Sequence, residues 1–471
     1  MELFSDQTGD EGLPGKARAS VMAAVMTSTT MAVFDGSMIN IALPGMAHSL
    51  QVSATVAVWF ANGYLLSAAM TLAIFAALAT RLGFRPIFLF GLSVFTLSSL
   101  GCALSTSAEM LIAMRVIQGI GGAATLSIAP AILRSVFPGR LLGRILGLNA
   151  LLIAASTAIS PVIGGSLLQA LGWQSLFAIN LVPGVIALYL AKRAIPHVAQ
   201  SRREPFDTAG AVLSAVLLGS LIMTANSFSD VRSSGHGISL SILGWALLTV
   251  ISGFAFVWQI RRAAKPLLPP LIFSNGRFSL AVLTSLASFI SQGITFIALP
   301  FLFQSIYGYD ALTSALLFTP WPVGIVLVAP HAGRLADRYS PSVISTCGLV
   351  IFVVGLGLLA TLPDGAAAWD VGLRSLICGM GFGCFQSPNN REMLSNVSRE
   401  YSGYASGVLA IARTFGQCIG AAIVGVLLAT LASRGTLALE EQAVRMSLWI
   451  AVASCAAAVV FSLSRLRRRV L

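Results

Sequence analysis

The chain has 471 residues, 56% hydrophobic and only 10% charged, with a mean hydropathy of +0.86 and a net charge of +12. A soluble domain carries about 25% charged residues, so a water-soluble globular protein is excluded. The Lys and Arg residues fall mainly in short loops between long apolar runs, so the positive charge reads as a membrane-orientation signal and not as a nucleic-acid surface.

The first segment, residues 1–19, is polar and mildly acidic and lacks the basic-then-apolar order of a cleaved signal peptide, so the first helix is expected to be an uncleaved start-transfer segment. Apolar runs then follow at 20–42, 55–79, 86–104, 110–133, 145–168 and 175–191, then at 208–227 and 238–259. Beyond a basic stretch come 278–300, 313–332, 342–361, 369–388, 404–430 and 446–464. Each has about the 20 residues that a helix needs to cross a bilayer core of about 30 Å. Backbone polar groups find no water there, so these runs are predicted to be helices. The expected fold class is an all-α polytopic membrane protein with fourteen transmembrane helices.

With the N-terminus inside, 23 Lys and Arg fall in cytoplasmic segments and three (Arg232, Arg434 and Arg445) in outer loops. That bias persists through every loop and predicts both termini in the cytoplasm. Trp59, Trp173, Trp245, Trp369 and Trp449 fall near the outer ends, as an interfacial aromatic belt would.

Two cytoplasmic turns repeat each other at an offset of 257 residues: Ala76–Arg81 after the second run and Gly333–Arg338 after the tenth, with Arg81 matching Arg338. Arg115 opens a helix carrying Gly119, Gly121 and Gly122, and Arg374 opens one carrying Gly379, Gly381 and Gly383. Two six-helix bundles in parallel repeat follow, with the substrate site between them. The expected division is a tail at 1–19, a bundle at 20–192, a linker with two extra helices at 193–277, a second bundle at 278–464 and a basic tail at 465–471. The glycines lie inside apolar runs and no GxxxxGK[ST] occurs, so they read as helix-packing residues and not as phosphate loops.

Asp35 is the one acid placed well inside an apolar run. A carboxylate at that depth faces a cavity or a partner, and burial favours its neutral form, which suits reversible protonation. Arg115 lies at a similar depth and would favour the carboxylate, so the two are assigned to proton coupling, against purely structural roles. Arg413 is too deep to snorkel easily, whereas Arg374 lies near a helix end. Pro161 with Gly164 and Gly165 should bend the fifth helix and let a neighbour approach. Asn40, Tyr64, Gln118, Gln292, Phe296, Gln304, Trp321, Phe385 and Asn389 are candidates to line the pathway, where aromatic faces would suit lipophilic cations. For any one aromatic, ordinary packing is the competing reading. The six cysteines form no CxxC pair and the four histidines lie in loops or at a helix end, so no metal site and no cofactor are expected.

At these residues the chain resembles the major facilitator superfamily, and more narrowly its fourteen-spanner drug:proton antiporters of the quaternary-ammonium resistance type. Asp35-Gly36-Ser37-Met38-Ile39-Asn40-Ile41-Ala42-Leu43-Pro44 is similar to the helix-1 signature. Leu111, Arg115, Gln118, Gly119 and Gly121 match the fourth-helix motif associated with proton transfer, and Ser160 to Gly165 resembles the fifth-helix antiporter motif. Phe385 to Asn390 and Arg413 to Gly420 resemble the C-terminal signatures. By the same resemblance, Arg81, Gly83, Arg85, Pro161, Gly164, Gly165, Asp337, Arg338 and Arg413 are gating or motif residues. Thr80 stands where the family carries Asp, Ala76 and Ser160 stand where Gly is usual, and Asp337 keeps the acid in the second half only.

The resemblance implies the major facilitator fold and proton-coupled efflux of lipophilic, chiefly cationic drugs across the cytoplasmic membrane. The implied partners are a small-molecule substrate, protons and lipid, without nucleic acid, and a monomer is the expected unit. Transport of one specific metabolite (an amino acid, siderophore or sugar derivative) is the alternative. A receptor or an integral-membrane enzyme is disfavoured, since no soluble domain and no His/Asp/Glu constellation can be read.

Overall fold

The computed structural model describes residues 12–138, 141–196, 207–234, 240–263, 266, 269–363, 365–397, 402–431 and 437–467. Some side chains within these ranges, Thr80 and Asp337 among them, lie outside the description.

The first half contains α1 (Gly15–Ser49), α2 (Ala54–Leu82), α3 (Phe84–Ala103), α4 (Ala108–Val136), α5 (Leu142–Leu171), the short α6 (Ser175–Ala178) and α7 (Leu181–Ala194). Then come α8 (Thr208–Ser234) and α9 (Leu240–Arg262). The second half holds the short α10 (Leu271–Ser274), α11 (Gly276–Phe301) with a π-helical turn at Leu302–Ile306, α12 (Ala311–Phe318) and α13 (Pro320–Arg338). It closes with α14 (Pro341–Ala360), α15 (Ala368–Ser395), α16 (Ser402–Leu431) and α17 (Leu437–Arg467). Among the described residues, thirteen helical segments are long and apolar enough to cross a membrane, with α6–α7 and α12–α13 each forming one. The fourteenth crossing, α15, has 28 residues and is more polar, carrying Asp370, Arg374, Arg391 and Glu392. The fourteen crossings match the number read from the sequence.

Local chemistry sets the helix ends. The Ser53 and Ser107 hydroxyls accept from the backbone N–H groups of Val56 and Met110, which caps α2 and α4. Asn275 caps α11 and Asp310 caps α12 in the same way. Gly83 turns the chain between α2 and α3 at φ +89°, which side chains rarely tolerate, so its place in the motif has a local backbone cause.

The repeat is visible as contacts. On α4, a Cβ added to Gly121 would meet the Phe95 nitrogen at 2.5 Å and the Gly91 carbonyl at 2.7 Å. On α15, one added to Gly381 would meet the Phe352 nitrogen at 2.5 Å and the Gly348 carbonyl at 2.9 Å. In the same sense Gly119 sits on the Tyr64 carbonyl and Gly379 on the Trp321 carbonyl. Small residues thus let backbones touch at matching positions of both halves, where lipid supplies no hydrophobic drive.

The halves meet along two seams. The α2–α16 seam holds the Cys418 thiol, which donates to the Asn62 side chain at 2.9 Å, and the Val58–Gly425 contact. The α5–α12 seam lies toward the end away from the termini, where Gly165 packs on Ala311, Leu312 and Ala315. At that end Gln304 donates to the Ile41 carbonyl at 2.7 Å and Gln169 to the Asp310 carboxylate at 3.1 Å. In the sequence α8 and α9 read alike, as one extra pair without interior charge. In the structure α8 packs on both α2 and α16, while α9 packs on α8 and leaves most of its surface exposed. Thr249 of α9 ties the pair together through the hydroxyls of Ser220 (3.1 Å) and Thr224 (3.3 Å).

Candidate functional site

Asp35 lies on α1, 3% exposed, and faces the inner surface of α4. Arg115 and Gln118, three residues apart on α4, share one helix face and both reach it. The Arg115 Nη1 donates to Asp35 Oδ2 and, at 2.6 Å, to Gln118 Oε1. The Gln118 Nε2 donates to Asp35 Oδ1 at 2.9 Å and to the Ser99 hydroxyl at 2.8 Å. The Arg115 Nε donates to the Phe60 carbonyl at 2.7 Å. Both carboxylate oxygens therefore have donors, and α1, α2, α3 and α4 are tied by one network. Arg115 is 0% exposed, and its Nη2 has no hydrogen-bond partner among the described residues. A charged pair this deep is tolerated because each charge is paired and hydrogen-bonded.

Aromatic rings cover the pair. The guanidinium carbon of Arg115 stands 4.6 Å from the Tyr64 ring centre and 5.6 Å from that of Phe177. Such contacts are worth about 2 kcal/mol when desolvated. A Cβ on Gly122 would meet the Tyr64 hydroxyl at 2.6 Å, and one on Gly119 the Ser67 hydroxyl at 2.1 Å. The motif glycines are thus the space in which Tyr64 sits. Among the described residues, the second half places no buried ion pair beside the matching aromatic; Arg374, the repeat counterpart of Arg115, pairs with the partly exposed Asp370 instead. In that half Trp321 occupies the position of Tyr64, packs against Phe296 and Phe352, and has a buried Nε1 without a partner among the described residues.

The other expected residues scatter. Asn40 bonds back to the Gly36 carbonyl at 3.4 Å, and Gln292 accepts from Gln417 at 2.9 Å. Phe296 is half-buried at an edge-on contact with Phe318. Gln304 lies in the π-helical turn and holds α1, so it sits at the closed seam. Trp321, Phe385 and Asn389 are buried within the second half. Pro161 lies inside α5, a Cβ on Gly164 would meet Met38 at 2.9 Å, and Gly165 faces α12. Arg81 and Arg338 are exposed at the ends of α2 and α13, and Arg85 donates to the Lys192 carbonyl at 2.6 Å. The side chain of Asp337 lies outside the described residues. Arg413 is half-buried on α16, on the side of the seam that faces Tyr64. Arg374 does not snorkel freely: it pairs with Asp370 at 2.8 Å and donates to the Leu358 carbonyl.

Three sequence expectations need correction. Arg18 and Arg465 were expected in tails, but α1 begins at Gly15 and α17 runs to Arg467, and both side chains are buried. Helices longer than the bilayer core carry charges inward at their ends when partners wait there. Asp35 is also not the one buried acid: Glu392 on α15, past the apolar run, is 3% exposed. The apolar run stops at 388 because Asn389, Asn390, Arg391 and Glu392 follow, yet the helix continues to Ser395 with Pro388 inside it. Trp173, expected at an interface, is buried and donates to the Ser49 hydroxyl at 3.2 Å. The described residues hold no cluster of three or more His, Cys, Asp or Glu able to bind a metal. A surface cavity of about 470 Å³ at the start of α17, lined by Glu441, Arg445, Trp449 and neighbours, contains none of the expected pathway residues.

The sequence profile described as Major Facilitator Superfamily matches residues 25–421. An uncharacterised transporter of Escherichia coli (strain K12), YebQ, is 38% identical over 90% of this chain and 92% of its own length. The tetracenomycin C resistance and export protein of Streptomyces glaucescens is 30% identical over 90% of this chain and 78% of its own. A bacterial homologue of the human lysosomal transporter Spinster, solved inward-facing and unoccupied, shares the fold with a TM-score of 0.68 at 15% identity, covering 96% of this chain and 97% of that one.

Proposed function

Because the chain belongs to the major facilitator superfamily and is a multi-pass membrane transporter, not an enzyme, we propose that it drives export of lipophilic, chiefly cationic compounds by proton entry. On this reading it lies in the cytoplasmic membrane with both termini in the cytoplasm. The observation that carries the reading is the Asp35 carboxylate, buried between two donors on α4, one of which, Arg115, is covered by aromatic rings.

An ionised Asp35 holds Arg115 by a charge-assisted hydrogen bond, roughly twice as strong as a neutral one. A proton on Asp35 removes that charge. Arg115 keeps the Phe60 carbonyl, Gln118 and the Tyr64 ring, so it has somewhere to rest. The α1–α4 contact then loosens without leaving a bare cation. A cationic substrate near the same carboxylate competes with the proton for its charge, which is what exchange requires. Proton entry supplies about 2.3 kcal/mol per 100 mV of membrane potential. With one acid in the site, monovalent cations and neutral compounds suit it better than dications. The Gln304–Ile41 and Gln169–Asp310 contacts serve as the closure on the outer side.

The test is a panel of substrates in vesicles containing the purified protein under an imposed pH gradient. Ethidium would stand for lipophilic monovalent cations, beside neutral drugs and single metabolites. Gradient-driven ethidium movement in the wild type, lost in Asp35→Asn at equal reconstitution, is the expected result. Undiminished coupling in Asp35→Asn would sink the mechanism, and movement of one metabolite alone would favour the metabolite-transporter reading.

A further inference from the structure

The second half contains its own buried ion pair, at the end of the bundle where the chain termini lie. Glu392 sits one turn from the end of α15 and Arg465 two residues from the end of α17, and they are 3% and 0% exposed. Their approach is loose: Arg465 Nη1 lies 3.6 Å from Glu392 Oε2. The guanidinium is held instead by neutral acceptors, Asn389 Oδ1 at 2.7 Å, the Ser345 hydroxyl at 2.7 Å and the Ser462 hydroxyl at 2.8 Å. The carboxyl receives the Ser342 hydroxyl on Oε2. Its Oε1 has no partner among the described residues, and neither does the Nε of Arg465.

A buried carboxylate with a bare oxygen is costly, and so is a buried guanidinium with a bare N–H. The bare donor and the bare acceptor belong to the same pair. An ionised Glu392 gains by closing onto Arg465 as a two-pronged contact. A protonated one has no such pull, and the loose contact with Arg465 held by amide and hydroxyls suits that form. We propose that Glu392 is a second proton-binding carboxyl of this protein, with the proton exchanged at Oε1 and the closing or opening of the Glu392–Arg465 contact shifting α15 against α17. Arg391 and Ser395, on either side of it along α15, are exposed. The charged groups around it are few. Arg465 faces it from α17, and the charge of Arg277 at the start of α11 reaches Arg465. The nearby end of α14 presents the hydroxyls of Ser342, Ser345 and Thr346. On α13, His331, Arg334 and Arg338 are exposed at this end, and α16 brings the exposed Tyr404.

The inference extends the proton-coupled reading, but its readout needs no substrate. The carbonyl stretch of protonated carboxyls is followed by infrared difference spectroscopy on the full-length protein in lipid vesicles while pH is varied. The expected result is a deuterium-sensitive band that disappears in Glu392→Gln, persists in Asp35→Asn and shifts its midpoint in Ser342→Ala. A titration unchanged by both Glu392→Gln and Ser342→Ala would overturn the proposal. If Glu392→Gln fails to fold, the Ser342→Ala and Arg465→Lys midpoints decide it: movement supports the site and identity with wild type overturns it. Failure of the Asp35 mechanism shows separately, as a spectrum that Asp35→Asn leaves untouched.

Discussion

Arg115 of α4 and Asp35 of α1, 80 residues apart in sequence, share a buried ion pair in which the guanidinium also binds Gln118 and the Phe60 carbonyl. Through this pair and Ser99, α1, α2, α3 and α4 are joined in one hydrogen-bond network. Nothing comparable stands at the matching place of the second half, where Trp321 and its aromatic neighbours fill the space. The two halves share helix packing but not chemistry.

Removing either member of the pair should have unequal consequences. Arg115→Gln leaves a buried carboxylate without its cation, a loss of about 3–5 kcal/mol where one partner of a buried pair is removed. Asp35→Asn keeps an acceptor for Arg115 and a neutral side chain of the same size, so it should cost less. The double variant should be more stable than Arg115→Gln alone, because the orphaned charge is gone. Thermal unfolding of the three purified proteins in one detergent checks this, and strictly additive losses would show that the pair is not coupled.

Two glycines on the same helix should fail differently. Gly119→Ala drives a methyl into the Tyr64 backbone carbonyl, 2.3 Å from the new Cβ, and backbone cannot step aside. A loss of about 1–3 kcal/mol in stability is expected, as for overpacked cores. Gly122→Ala meets the far end of the Tyr64 side chain at 2.6 Å, which can swing away. Stability should fall less, but the ring leaves Arg115, and transport should fall several-fold. Parallel melting curves and vesicle uptake assays separate the two outcomes.

Much of this is legible in the amino-acid sequence alone. Runs of apolar residues carry the fourteen crossings because the bilayer imposes their length, and a carboxylate as deep as Asp35 stands out against such a background. The glycines of α4 could be read as packing residues, though not that Tyr64 fills the space they leave. Glu392 and Arg465 were missed because both lie past the apolar runs, where charge looks solvated. Their burial depends on Asn389, Ser345 and Ser462 from three helices, a convergence with no signature along the chain. The rest lay beyond the apolar run ending at residue 388, through which α15 continues to Ser395 with Pro388 inside it. The repeated Ile-Ala-Leu-Pro at 41–44 and 297–300 was an unused signal for pairing the ends of α1 and α11.

The α8–α9 hairpin predicts a small effect. Thr249 bonds to Ser220 and Thr224 across the pair, and such hydroxyl contacts inside membranes average about 0.6 kcal/mol. Thr249→Val should therefore lower the unfolding free energy by less than about 1 kcal/mol and leave transport intact. A larger loss would mean that the hairpin, through α8 on the α2–α16 seam, is integral to the moving parts.

The Gln169–Asp310 contact between the halves should be insensitive to pH near neutrality. Asp310 caps α12 and accepts from Gln169 of the first half, and the Thr313 hydroxyl, followed by the Thr313 N–H, holds its carboxyl below the ordinary aspartate range. A carboxyl depressed in the folded state stabilises it fully above the ordinary value, and that contribution is lost only as pH falls through the depressed one. Asp310 therefore stays ionised through neutral pH and the contact with Gln169 keeps its charge there. Hydrogen exchange of residues 311–318 reads the cap directly. Asp310→Ala should quicken it several-fold at neutral pH, Asp310→Asn should do so less because Asn also caps, and wild type should match Asp310→Ala only in strong acid. A wild-type rise already near neutral pH would mean that this contact itself senses protons.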